Sequence, residues 1–296
     1  MKRKSLDWTG FWRLEEIYGW LQDKTNARPN DLSIFTVGSS YEGREIKGLK
    51  INVGNIPGKP SIFYEATIHS GEWLAATSTT YIIDQLLNDP SMATLLARFE
   101  WYFLPVLNVD GYAYAWNVDR LWRKTRRPSV NNLLCTGADP NRNSNVHWNE
   151  SNASTNPCAR NYPGDFVFSE PEIFHFSEFM KTVPNLSIYF SFHTYAQLFM
   201  FPTGFTDIPI SSYQLHYDIG LIANEAIYQK TGARYQLGPV TQFFGLVSGS
   251  TFDWVYENLH PKLTYCFELR PQQIEYMPEW GDDASPDQII PTAEDM

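Results

Sequence analysis

Ser61-Ile62-Phe63-Tyr64-Glu65-Ala66-Thr67-Ile68 runs into His69-Ser70-Gly71-Glu72, and Trp73-Leu74-Ala75-Ala76 follows. The β-branched and aromatic run reads as a strand over 61–68, and 72–88 reads as a helix. A His and a Glu three residues apart at that junction can both reach one ion from a single turn. Further along stand an isolated His193-Thr194-Tyr195, after an apolar run from Leu186, and then Phe267-Glu268-Leu269-Arg270. Two imidazoles and one carboxylate form a favoured zinc set that keeps a fourth position for water. His69, Glu72 and His193 are therefore candidate ligands, and Glu268 is a candidate base. Read from the residues alone, blander alternatives stay open. His69 and Glu72 also suit a surface turn entering a helix, His193 suits a satisfied core histidine, and Glu268 suits a strand-edge charge paired with Arg270.

Working outward, apolar residues at Phe11, Leu14, Ile17, Tyr18 and Leu21 follow helical spacing and predict a first helix from Phe11 to Lys24. Strands are expected at 32–38, 45–53, 99–106, 185–192, 197–201 and 261–267, and helices at 170–182, 213–230 and about 250–258. Strands alternating with helices imply an α/β fold, a twisted mixed parallel and antiparallel sheet with helices on both faces. Residues 117–168 read as one long irregular stretch, of the kind that is functional or tied down. No linker interrupts the chain, so a single domain over 5–296 is expected. His69 and Glu72 fall at the end of one strand, and His193 falls at the end of another. Open α/β sheets place ligands at such carboxyl ends.

The chain has 296 residues and is 43% hydrophobic, enough for a large core. Lys and Arg total 23 against 33 Asp and Glu, a net charge of −10, which argues against nucleic acid or an anionic membrane as the main partner. No apolar run approaches a membrane span, and no apolar core follows the basic Met1-Lys2-Arg3-Lys4 to make a signal peptide. Cys135 and Cys158 flank a loop rich in Asn, Ser and Gly and read equally as free thiols or a bridge. Cys266 reads as a small buried hydrophobe. Sequons begin at Asn149, Asn152 and Asn185.

Segment by segment, the chain resembles the mature domain of the funnelin metallocarboxypeptidases, the digestive carboxypeptidase A/B branch in particular. The matching stretches include Ser40-Tyr41-Glu42-Gly43-Arg44, Ile68 to Trp73, Asn108-Val109-Asp110-Gly111-Tyr112, Arg120-Leu121-Trp122-Arg123-Lys124-Thr125-Arg126 and Asp139-Pro140-Asn141-Arg142-Asn143. They continue through His193-Thr194-Tyr195, Ser248-Gly249-Ser250-Thr251-Phe252-Asp253-Trp254, Phe267 to Arg270 and Gln288 to Ala293, all in family order.

The resemblance implies one zinc held by His69, Glu72 and His193, with Glu268 as general base and Asp139 as the carboxylate orienting the first histidine. It implies that Asn141 and Arg142 grip the substrate's terminal carboxylate, that Arg123 stabilises the oxyanion, and that Tyr195 contributes to substrate binding. For Asp139 an Asx turn before Pro140, and for Arg123 a solvated basic loop, are the plain readings beside these. The pocket for the last side chain falls on Phe252, with Val240 and Val247 nearby and Gly204 opposite. Basic-specific relatives carry an acid where Phe252 stands, so apolar or aromatic C-terminal residues are expected; a cation there would be desolvated without a partner. A basic-specific enzyme and a weakly active peptide-binding protein are the alternatives.

The resemblance further implies a Cys135–Cys158 disulfide, a secreted zymogen, peptide and protein C-termini as substrates, and the propeptide and protein carboxypeptidase inhibitors as partners. On this reading Lys2-Arg3-Lys4 is the remnant of an activation site, and the chain stops where relatives carry one more helix. Two departures are expected to weaken substrate binding. Gly71 stands where the branch usually has arginine, and Gly245 stands where it usually has a tyrosine that closes over the substrate.

Overall fold

The computed structural model describes residues 6–272 and 284–296, so the expected activation remnant Lys2-Arg3-Lys4 lies outside the described residues. Eight strands form one sheet: β1 (Leu32–Ser39), β2 (Glu45–Ile51), β3 (Ser61–Ala66), β4 (Glu100–Leu104), β5 (Leu186–His193), β6 (Leu198–Phe201), β7 (Gln236–Pro239) and β8 (Leu263–Glu268). Their spatial order is β1-β2-β4-β3-β5-β8-β6-β7. The centre, β4-β3-β5-β8, is parallel, as is β6–β7, whereas β1–β2, β2–β4 and β6–β8 pair antiparallel. This is the mixed sheet expected from the sequence.

Helices along the chain are α1 (Leu14–Ala27), α2 (Trp73–Asn88), α3 (Ala93–Arg98), α4 (Val109–Asn117), α5 (Pro171–Met180), α6 (Tyr213–Thr231), α7 (Val240–Phe244), α8 (Thr251–Leu259) and α9 (Ile289–Asp295). The central strands are buried on both faces, and the two-residue alternation of side chains decides what each face meets. On one face Phe63 and Tyr189 sit 6.1 Å apart and meet Phe176 of α5. On the other, Tyr64 stacks on Phe190 at 4.7 Å and on Phe103 at 4.8 Å, in the layer that also holds Ala75 of α2 and Ile227 of α6. Helices therefore cover both faces.

The elements differ from expectation in instructive places. Helix α1 starts three residues later than Phe11 because the Glu16 carboxylate accepts the Arg13 N–H at 2.9 Å and fixes the first turn there. Helix α4 was not expected, since Gly111 and three aromatic residues give it poor helix propensity. It forms because the Asn108 side chain caps it, accepting from Gly111 N at 3.0 Å, and because Gly111 packs against the 124 carbonyl where a Cβ would come within 2.6 Å. Strand β7 and helices α3, α7 and α9 were likewise not expected. They are short, at four to seven residues, and lack a resolvable period.

Between α4 and α5 the chain has no strand or α-helix, as expected, and Cys135 and Cys158 are joined there. Asp165 is the other tie. Its carboxylate accepts from Arg127 Nη1 at 2.6 Å, Ser129 Oγ at 2.6 Å and Tyr162 Oη at 2.8 Å. Burial would raise its pKa, but those donors outweigh burial and hold it well below the usual carboxylate range. Replacing both Cys135 and Cys158 by Ser should lower unfolding stability by about 3 kcal/mol from loop entropy. Denaturant titration checks this, and an unchanged midpoint would assign the loop's stability to the Asp165 cluster alone.

Candidate metal centre and substrate cleft

The parallel centre of the sheet delivers the candidate ligands to one place. His69 lies three residues past the end of β3, Glu72 is the N-cap residue of α2, and His193 ends β5. All three are buried. His69 Nδ1 lies 2.7 Å from Glu72 Oε1, and His193 Nδ1 lies 3.2 Å from His69 Nδ1 and 3.2 Å from Glu72 Oε2. Donors held about 2.0–2.1 Å from one tetrahedral ion would sit about 3.3 Å apart. The observed spacings fit such an ion.

Hydrogen bonding at the far ring nitrogens shows why a cation suits this point. Asp139 Oδ1 faces His69 Nε2 at 3.1 Å, so that nitrogen carries the proton and Nδ1 presents a lone pair. Asp139 can serve because it stays ionised. Burial would raise its pKa, but the Arg123 guanidinium, then His69 and Arg142, hold it well below the usual range. Arg123 donates to its Oδ2 through Nη2 at 2.8 Å and Nε at 3.1 Å. Burial pushes the His193 imidazole down to about 4, so it is neutral near pH 7, as a ligand must be. Two imidazoles and a carboxylate thus converge on one point.

Glu268 ends β8 and lies opposite His193 in register, which puts a further carboxylate beside the three donors. Its alternative partner, Arg270, is instead paired with Asp295 at 2.7 and 2.9 Å. His69, Glu72, His193, Glu268, Arg123 and Asn141 line one cleft of about 300 Å³. So do Arg142, Tyr195, Val240, Val247 and Phe252. Gly204 does not line it. It adjoins lining residues, where its N–H donates to Asp253 Oδ2 at 3.0 Å and a Cβ would meet Val240 Cγ1 at 3.2 Å.

Asn141 and Arg142 are tightly held. Asn141 Oδ1 accepts from Thr251 N at 3.1 Å, and Arg142 donates to the carbonyls of Asn141 at 2.8 Å and Asn152 at 3.2 Å. Gly249, at φ 75°, lets the segment before α8 approach the Arg142 carbonyl, where a Cβ would come within 2.3 Å.

Sequence reasoning had singled out Asp253 only as part of a motif. It too lines the cleft, its Oδ1 has no hydrogen-bond partner among the described residues, and burial raises its pKa to about 7. Cys266, expected as a buried hydrophobe, is buried and faces the same cleft. Near Gly71, Arg120 lies 3.7 Å over the Trp73 ring and donates to the Gly71 carbonyl at 2.7 Å. At the other departure, Gly245 takes φ 65°, and its neighbour Phe244, 45% exposed, lines the cleft mouth.

Three converging metal donors with a further carboxylate, Glu268, in register, at the carboxyl ends of parallel strands, define a metal-dependent hydrolase site on an α/β sheet. The zinc carboxypeptidase family matches residues 17–296, and the chain belongs to that family. A zinc carboxypeptidase of Simulium vittatum is 38% identical over 286 residues, covering 95% of this chain and 91% of that relative. A carboxypeptidase B of Astacus astacus is 38% identical over 296 residues, covering 98% and 94%. The bovine thrombin-activatable fibrinolysis inhibitor, solved with a tick carboxypeptidase inhibitor, superposes with a TM-score of 0.89 at 28% identity, covering 97% of this chain and 94% of that one.

Asp139→Asn should weaken zinc binding by about 10–100-fold, because an amide can present its N–H to His69 and reverse the tautomer. Competition with a graded chelator measures it. An unchanged affinity would mean that His69 is oriented by its backbone position alone.

Proposed function

We propose that residues 5–296 act as one catalytic domain, a zinc exopeptidase that hydrolyses the C-terminal bond of peptides and prefers apolar or aromatic last residues. The observation that carries this reading is the placement of Glu268 beside the three donors in a cleft that also contains Arg142 and Phe252. Zinc, when bound by His69, Glu72 and His193, supplies Lewis acidity at the scissile carbonyl. Glu268 takes the proton of the attacking water and returns it to the leaving amine. Arg142 receives the terminal carboxylate through its planar fork, already oriented by the carbonyls of Asn141 and Asn152. Arg123, steadied by Asp139, offers positive charge to the developing oxyanion, and Asn141 and Tyr195 complete the substrate contacts.

Phe252, Val240 and Val247 give the side-chain pocket an apolar lining, which supports the preference. Asp253 supports a second reading, removal of a C-terminal lysine or arginine, because its buried carboxyl has an oxygen without a hydrogen-bond partner among the described residues. The relative named carboxypeptidase B fits that second reading, and the inhibitor complex of the bovine relative supports protein carboxypeptidase inhibitors as partners. The disulfide supports function outside a reducing cytosol, hence secretion. Among the described residues no helix is long and apolar enough to cross a membrane.

Glu268→Gln should retain stoichiometric zinc while kcat falls by at least about 100-fold. Elemental analysis with turnover of a C-terminal Phe peptide tests both halves, and near-wild-type kcat would remove Glu268 from the chemistry. Phe252→Asp should move preference from C-terminal Phe or Leu toward Lys or Arg, by supplying the missing counter-charge. Phe and Lys peptides assayed side by side decide it. A wild-type enzyme that already favours Lys would place the preference with Asp253 and not with Phe252.

A further inference from the structure

The two imidazoles of the centre are oriented by different means: His69 faces the Asp139 carboxylate, and His193 faces a hydroxyl of its own strand. Strand alternation places Tyr189, Ser191 and His193 on one face of β5, and the parallel register sets Ser191 opposite Glu65 of β3. Glu65 and Ser191 are fully buried. Glu65 Oε2 accepts two hydroxyl protons, from Ser191 Oγ at 2.8 Å and Tyr189 Oη at 2.9 Å, while its Oε1 has no hydrogen-bond partner among the described residues. Ser191 Oγ also lies 3.3 Å from His193 Nε2. A hydroxyl whose single proton points at Glu65 can only accept on its other side.

We infer that Glu65 and Ser191 are positioning residues for the metal centre: Glu65 fixes the Ser191 hydroxyl as an acceptor, and Ser191 holds the proton of His193 on Nε2, so that Nδ1 presents its lone pair to zinc. The inference rests on the zinc reading above. It gives a buried carboxylate on the central strand a task that packing does not explain, since a lone oxygen without a partner is costly in a core. One contact opposes it. Asn141 Nδ2 stands 3.5 Å from the same nitrogen, and donation from that amide would put the proton on Nδ1. Asn141 cannot turn its oxygen there without giving up Thr251 N. The tautomer of His193 is therefore set by competition between Ser191, which is nearer, and Asn141.

The test uses the full chain, freed of metal and labelled with ¹⁵N-histidine, so that nitrogen shifts report the tautomer without any turnover. Wild-type His193 should be protonated at Nε2. In Ser191→Ala the population should move toward Nδ1–H, since only Asn141 remains, and the zinc dissociation constant from chelator competition should rise by about 10–100-fold. Ser191→Thr, which keeps the hydroxyl on a strand-compatible residue, should restore both readouts. Glu65→Gln keeps the size but can offer an N–H to Ser191, releasing the serine proton toward His193, and should move the tautomer in the same direction as Ser191→Ala. His193 remaining protonated at Nε2 in Ser191→Ala, or zinc affinity unchanged despite a tautomer shift, would overturn the inference. Wild-type protein that takes up no zinc would instead overturn the proposed function, whatever the tautomer.

Discussion

The parallel pairing of β3, β5 and β8 is the constraint on which the rest of the site depends. Register alone puts Glu65 opposite Ser191 and His193 opposite Glu268. A slip of one residue on β5 would turn His193 into the aromatic layer of Phe190 and Phe192 and bring Phe192 to the cleft. That slip is resisted by the stacks of Phe190 on Tyr64 of β3 and on Tyr265 of β8, each made between residues paired in the observed register. The apolar layer on one face of the sheet thus guarantees the polar ladder on the other. Core packing and site geometry are the same fact seen from two sides.

What the strands cannot supply comes from the side chains of the long irregular segment, which its backbone turns hold in place. Asp139, Asn141 and Arg142 sit in a single 3₁₀ turn in which Asp139 Oδ1 also accepts from Asn141 N at 2.9 Å. The plain reading of Asp139 as a turn-former and its reading as the partner of His69 are both satisfied by one carboxylate. Such economy needs the turn to be immobile. The disulfide, the Asp165 cluster and the Thr251 contact to Asn141 hold it from three directions.

Much of this was legible because the informative residues lie where sequence signals are strong. The strand run 61–68 and the helix after Glu72 announce themselves by period, and the His69–Glu72 spacing marks their junction. His193 was visible as a lone histidine at the end of an apolar run. The residues around it were not, because Ser191 and Glu65 are separated by more than a hundred positions and are joined only by register. Asp253 was hidden differently: its neighbour Phe252 carried the specificity argument, and nothing local reveals that the carboxyl folds back onto Gly204 N. Helix α4 was obscured because its stability comes from tertiary contact with residue 124 and not from propensity.

The two glycine departures have different physical consequences. At Gly71 a cation is not lost from the neighbourhood, because Arg120 reaches the Gly71 carbonyl and stacks on Trp73. That position is held by a cation–π contact and a backbone hydrogen bond, both insensitive to substrate. At Gly245 the loss is one of chemistry. The backbone there adopts φ 65° and ψ −160°, a conformation a tyrosine would find strained, so restoring a phenol would require the whole turn to change. Phe244 offers a ring at the cleft mouth but no hydroxyl. Under the proposed function, contact with a bound peptide at this position would be apolar, and recognition of the terminal carboxylate would fall to Arg142 and Asn141, whose geometry the backbone sets.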